Sequence, residues 1–159
     1  MVHTPLPEDS ALLILADGTV FRGKAAGSRG TSFGEIAFNT GMYGYQEIFT
    51  DPSYHQQIVV MATAHVGNYG VHEDDTESNG PRVAGVVVRN FSSVASRPGG
   101  HGTLQDDLEG HDVVGIRDVD TRALVTHIRE HGAMNAVVSS DGTEVEELKQ
   151  RLSQVPSMA

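Results

Sequence analysis

Residues 11–16, ALLILA, form an unbroken apolar run of strand length, and Asp17-Gly18 follows it at once. Residues 19–23, TVFRG, then alternate apolar and polar side chains. Asp and Gly tolerate the positive φ of a tight turn, so this order predicts a β-hairpin near the start of the fold. A chain that opens on a hairpin has committed its first strands to antiparallel pairing. Later segments follow another rhythm. Residues 112–116, DVVGI, read as a buried strand and residues 118–132, DVDTRALVTHIREHG, as a helix. Asp118 or Asp120 can cap that helix, Leu124, Val125 and Ile128 share a face, and Gly132 suits its C-terminal exit. A strand follows at 134–140, MNAVVSS, and an amphipathic helix at 143–155, with Val145, Leu148 and Leu152 aligned. Hairpins first and β-α-β alternation later predict an α/β fold with mixed sheets and helices on one side.

Between these ends, glycines at 23, 27, 30 and 34 suggest short strands joined by turns. Strand character returns at 34–40, 57–64 and 82–90. Residues 43–52, YGYQEIFTDP, are compatible with a helix that Asp51-Pro52 would stop. Residues 91–101 read as a Ser/Gly/Pro loop, followed by a short helix candidate at 103–111 with Thr103 able to cap it. The first ten residues are polar and Pro-rich and are expected to be loosely held.

Composition narrows the function classes. The 159 residues carry 11 Lys and Arg against 21 Asp and Glu, a net charge of −10. No basic cluster suits nucleic acid or an anionic membrane, and neither is expected as a partner. There is no cysteine. That excludes disulfides, thiolate metal sites and a thiolate nucleophile within this chain. The opening residues lack the basic and apolar regions of a signal peptide, and no apolar run approaches a bilayer span, so a cytoplasmic protein is expected.

Histidines invite a metal reading. His65, His72, Glu73, Asp74 and Asp75 crowd one polar stretch, yet their spacing fits no metal motif, and a solvated acidic loop is the expected role. His127 and His131 stand four apart near a helix C-terminus, where they favour the dipole, and are read as structural. GKAAGSRG at 23–30 lacks the Lys-Ser/Thr ending of a phosphate loop, and no G-x-S-x-G elbow is present. Two loops at strand ends are richer than a bland domain requires: 38–54, FNTGMYGYQEIFTDPSY, and 67–75, GNYGVHEDD. Such loops are where α/β proteins place ligand contacts.

At these loops the sequence resembles the amino-terminal half of the small subunit of carbamoyl-phosphate synthetase. FNTGMYGYQEIFTDPSY and then QIVVMATAHVGNYGV at 57–71 carry the likeness. It continues in ALLILADGTVFRG at 11–23, VAGVVVRNFS at 83–92 and DVVGIRDVDTRALVTHIREHGAM at 112–134. The resemblance implies a three-layer β/β/α domain of the swivelling type. It divides the chain into a loose segment at 1–10, the domain at 11–140 and a helical linker at 141–159 toward a glutaminase domain. In that family the carboxy-terminal half hydrolyses glutamine with a Cys-His-Glu triad. Ammonia then passes to a large subunit that uses bicarbonate and ATP, with its divalent metal, to make carbamoyl phosphate for pyrimidine and arginine synthesis. The expectation is therefore a chain that stops at a domain boundary, inactive alone, with no cofactor of its own. Its implied partners are the large subunit, the glutaminase half and glutamine. A free-standing interaction domain of the same fold is the alternative.

The resemblance also places Ser53 beside the bound glutamine, where a hydroxyl can fix the substrate's pose; read from the residues alone, Ser53 caps a turn after Pro52. Asn39, Thr40, Gly41, Tyr45 and Gln46 are candidates for the edge of that site, or equally for a strand-to-helix turn with a packed aromatic. Asn68, Tyr69 and Gly70 are candidates for the subunit interface. Asp120, Thr121 and Arg122 are read as a helix start carrying an ion pair. The chain departs from the family pattern at 92–110 and at Tyr43, where a small polar residue is usual.

Overall fold

A computed structural model describes residues 10–39, 56–61, 83–89 and 112–156. These residues hold seven strands: β1 (Ser10–Leu15), β2 (Val20–Gly27), β3 (Thr31–Asn39), β4 (Gln57–Met61), β5 (Gly85–Val88), β6 (Val114–Arg117) and β7 (Asn135–Ser139). They also hold two helices, α1 (Thr121–His131) and α2 (Val145–Ser153). The predicted hairpin is present. Leu13 of β1 faces Phe21 of β2 in antiparallel register, and Gly18 takes the turn at φ 93°. The glycine-punctuated stretch is more regular than its composition suggests, since β2 runs unbroken through Gly23 to Gly27.

The strands close into one barrel in the order β1-β2-β6-β5-β4-β3-β7, with β7 pairing back to β1. Neighbours β3, β4, β5 and β6 are parallel; the remaining pairs are antiparallel. The α/β class and the mixture of pairings are as expected, while the described strands form a single closed sheet.

Alternation sorts the side chains into two sets. Ala11, Leu13 and Leu15 join Ile36, Ile58, Val60, Val87, Val114, Ile116, Ala136 and Val138 in the barrel interior. Leu12 and Ile14 point the other way and meet Val137, Leu148 and Leu152, so α2 lies on the outside of β1 and β7. This is why ALLILA shows no polar alternation: both faces of β1 are covered. The valines and Met61 of β4 and β5 are likewise buried on both faces.

Strands β1, β3, β4, β5 and β6 run one way, and β2 and β7 the other, so β6 ends and β7 begins at the same end of the barrel. Helix α1 makes that connection. Its buried Leu124, Val125 and Ile128 belong to the interior cluster, so the helix closes this mouth. Each side chain so buried contributes roughly 1.5–3 kcal/mol. Asp120 caps the helix by accepting from the Ala123 amide at 3.1 Å; Arg122 is exposed, and among the described residues it forms no ion pair.

At the opposite end a polar latch ties β3, β7 and the approach to α2 together. Asp141 accepts from Thr31 Oγ1 at 2.8 Å, from Ser139 Oγ at 3.1 Å, and from the amide and hydroxyl of Thr143. Gly30 N donates to Ser140 Oγ at 3.1 Å, and Ser140 N to Gly30 O at 2.8 Å. The Thr143 hydroxyl above all, then the other donors, hold the Asp141 carboxyl down at about 2 against the partial burial that would raise it.

The barrel has no room to spare. A Cβ on Gly85 would stand 2.9 Å from Val138 Cγ1 and 3.0 Å from Val114 O. Two core changes are therefore expected to destabilise for opposite reasons. Leu13→Ala should cost about 2–5 kcal/mol by leaving a cavity, and Gly85→Val about 1–3 kcal/mol or more by overfilling. Urea unfolding measures both, and a neutral Gly85→Val would contradict the filled interior. Asp141→Asn should cost about 1 kcal/mol at neutral pH, discounted for exposure. The depressed carboxyl contributes stability above its ordinary pH range near 4 and loses it as pH falls through about 2. The gap between wild type and variant should accordingly shrink over that window in acid unfolding curves.

Candidate functional site

Four parallel neighbours bring four carboxyl ends to one edge of the barrel. Asn39 lies beside Met61, Met61 beside Val88, and Val87 beside Ile116. The Asp118 amide donates to Arg89 O at 3.0 Å, tying the exits of β5 and β6 together. Open α/β sheets bind ligands at such an edge, because the loops leaving parallel strands converge there.

The expected site residues relate to this edge as follows. Asn39 is the last residue of β3, and its backbone stands at the edge. Thr40, Gly41, Tyr45, Gln46 and Ser53 belong to the connection from β3 to β4, and Asn68, Tyr69 and Gly70 to that from β4 to β5. All eight lie outside the described residues, as do His65, His72, Glu73, Asp74 and Asp75. The topology thus starts both candidate loops at one edge. Among the described residues no group of three His, Asp or Glu is arranged to hold a metal ion, and no helix there is long and apolar enough to cross a membrane.

The same end of the barrel carries a contact that sequence reading missed. His127 of α1 places Nε2 2.6 Å from Asp17 Oδ2 and 3.5 Å from Thr19 Oγ1 of the β1–β2 turn. Its ring stacks on His131 at 4.2 Å, and His131 Nδ1 lies 3.0 Å from the His127 carbonyl. The i, i+4 spacing allows the two histidines to share a helix face. A partner 110 residues away leaves no local signal. Burial works to raise the Asp17 carboxyl, but the Thr19 amide and hydroxyl together with His127 outweigh it and hold it low.

This trio is no catalytic relay. A carboxylate that orients a general base holds Nδ1 and leaves Nε2 for the nucleophile. Here the carboxylate and the hydroxyl meet the same nitrogen. The contact instead pins α1 to the first hairpin, and Arg129, 5.2 Å above the Phe38 ring, pins it to β3.

Comparison with known proteins now adds what the geometry leaves open. Residues 13–138 match the model of the carbamoyl-phosphate synthase small chain, CPSase domain. The carbamoyl phosphate synthase small chain of Thermus thermophilus is 52% identical over 132 residues, covering 83% of this chain and 34% of that protein. Those of a Synechococcus species and Streptomyces coelicolor are 48% and 47% identical, covering 94% and 88% of this chain and 38% of each relative. The chain therefore belongs to the carbamoyl-phosphate synthase small-chain family and corresponds to the amino-terminal region of those proteins. It spans little more than a third of their length.

The pinning contact carries its own prediction. A double-mutant cycle of Asp17→Asn with His127→Gln should show a coupling of about 0.5–1 kcal/mol, the range of a partly exposed pair. Additive losses in thermal unfolding would mean that α1 is held by its apolar face alone.

Proposed function

We propose that this chain, as a member of the carbamoyl-phosphate synthase small-chain family, packs on the large subunit and helps complete the glutamine site whose ammonia feeds carbamoyl phosphate synthesis. The match over residues 13–138 supports this reading most directly. Chemistry supports it too. A thiolate is needed to attack the glutamine amide and form a thioester, and this sequence contains no cysteine. The nucleophile and its Cys-His-Glu setting have to come from a glutaminase domain beyond the matched region, with bicarbonate, ATP and divalent metal bound on the large subunit. This domain adds positioning, and no cofactor is assigned to it. The product serves pyrimidine and arginine synthesis in the cytoplasm.

Within that scheme residues 11–140 form the domain, joined by Ser10 as the first residue of β1, and 141–159 lead toward the glutaminase half. The family's three layers correspond, in this reading, to a flattened barrel whose two walls are the β layers and whose α layer includes α2; the packing of Leu148 and Leu152 on β1 and β7 supports that view. Ser53 hydrogen-bonds the amino-acid end of glutamine from the β3–β4 connection, with Asn39, Thr40, Gly41, Tyr45 and Gln46 shaping the edge around it. Asn68, Tyr69 and Gly70 meet the large subunit.

Two measurements test this. The 159-residue chain alone should release no ammonia from glutamine, and activity there would place the chemistry in the wrong half. In the complete enzyme, Ser53→Ala should raise KM for glutamine by about tenfold, one hydrogen bond's worth, while ammonia-dependent synthesis stays unchanged. Equal loss with both nitrogen donors would remove Ser53 from the glutamine site.

A further inference from the structure

Helix α2 carries the chain back along the outside of the barrel. It starts beyond the Asp141 latch, packs Leu148 and Leu152 on β1 and β7, and ends beside Asn135, the first residue of β7. The Asn135 carbonyl accepts from the Ala16 amide at 2.9 Å, just past the end of β1. The chain therefore leaves α2 at the end of the barrel where β1 and the parallel strands β3–β6 finish.

The last turn of α2 is closed without help from the sheet. Ser153 Oγ donates to Gln150 O at 2.6 Å, Gln154 N to Arg151 O at 3.1 Å, and Val155 N to Leu152 O at 3.1 Å. These bonds serve the carbonyls that a helix end leaves open. Asn135 reaches past them. Its Nδ2 donates to Val155 O at 3.3 Å and to Pro156 O at 2.9 Å, so one amide holds two consecutive peptide units beyond the helix. Pro156 is exposed, which gives its carbonyl water as an alternative partner, and burial does not call for the clamp.

What the clamp fixes is direction. Asn135 stands opposite Glu35 of β3 in the ladder, and proline restricts its own φ to about −65°. Two hydrogen bonds from a strand and one stiff residue set the heading of the chain at 156 relative to the sheet. That heading begins at the end of the barrel from which both candidate loops depart.

We propose that Asn135 is a positioning residue: by clamping Val155 and Pro156 it seats the glutaminase half against the β3–β6 edge, so that Ser53 meets the glutamine which that half binds. The inference rests on the small-chain reading above and adds to it the residue that fixes how the two halves meet. A site whose nucleophile and pose-setting hydroxyl stand on different halves depends on how those halves are held, since a misplacement of about 1 Å can cost two orders of magnitude.

The test uses the complete small chain with the large chain, assayed with glutamine and with ammonia as nitrogen donor. Asn135→Asp keeps the shape and removes both donated bonds, while Asn135→Ala removes the side chain. Each should raise KM for glutamine by about tenfold, the same one-bond scale as Ser53→Ala, and leave ammonia-dependent synthesis unchanged. In a Ser53→Ala background neither should add a further rise, because the bond that the clamp positions is already gone. Asn135→Ala, which brings no charge, decides the matter if Asn135→Asp folds poorly by circular dichroism. An unchanged KM, an equal loss with both nitrogen donors, or a rise fully additive with that of Ser53→Ala would overturn the positioning role and leave the small-chain reading intact. Ser53→Ala with an unaltered KM for glutamine would overturn the glutamine-site reading and this inference with it.

Discussion

The pairing of β7 with β1 is the constraint on which the rest depends. It joins the last strand of the fold to the first and turns an open sheet into a barrel. It also fixes the register that sends Leu13 and Leu15 inward beside Val138 and Ala136, and Leu12 and Ile14 outward beneath α2. A slip of one residue would exchange these sets, putting the wrong volumes into an interior where even Gly85 has no space for a Cβ. The latch around Asp141 lies where this register is set, because Thr31, Ser139 and Ser140 are the residues at which β3 and β7 meet.

Closure has a functional consequence. An interior filled by aliphatic side chains and covered at one mouth by α1 has no place for a polar substrate. Chemistry or recognition must then sit on the rim or on the walls. The rim collects the carboxyl ends of β3, β4, β5 and β6, and it is anchored by helix and hairpin through His127, Asp17 and Arg129. A group that positions others is useful only where its support does not yield, and these contacts tie the described part of the rim to both helix and hairpin.

Local patterns were legible in the sequence wherever local physics decides the outcome. The Asp-Gly turn, the Asp120 cap, the buried face Leu124-Val125-Ile128 and the stripe Leu148-Leu152 all follow from spacing over a few residues. Barrel closure did not show, because β1 and β7 are separated by more than a hundred residues and an apolar run does not say which strand it pairs with. The same holds for His127 and Asp17. The run ALLILA was ambiguous for a related reason, since burial on both faces erases the alternation that would have revealed its orientation. For the candidate site, residue pattern alone reached two loops at strand ends. Only the family resemblance singled out Ser53 within them, and the structure adds that Asn39 and Met61, from which those loops depart, are neighbours.

The distribution of charge links these points. In a chain with nearly twice as many acidic as basic side chains, solubility alone needs no concentration of cations on one strand. Folding does not favour it either, because Lys24 against Arg117 works against the β2–β6 pairing that completes the barrel. That pairing is secured elsewhere, by Ile116 and Ala25 inside the wall and by Asp118 beside Arg117. The apolar interior makes the domain rigid, and the polar exterior decides what it is rigid for.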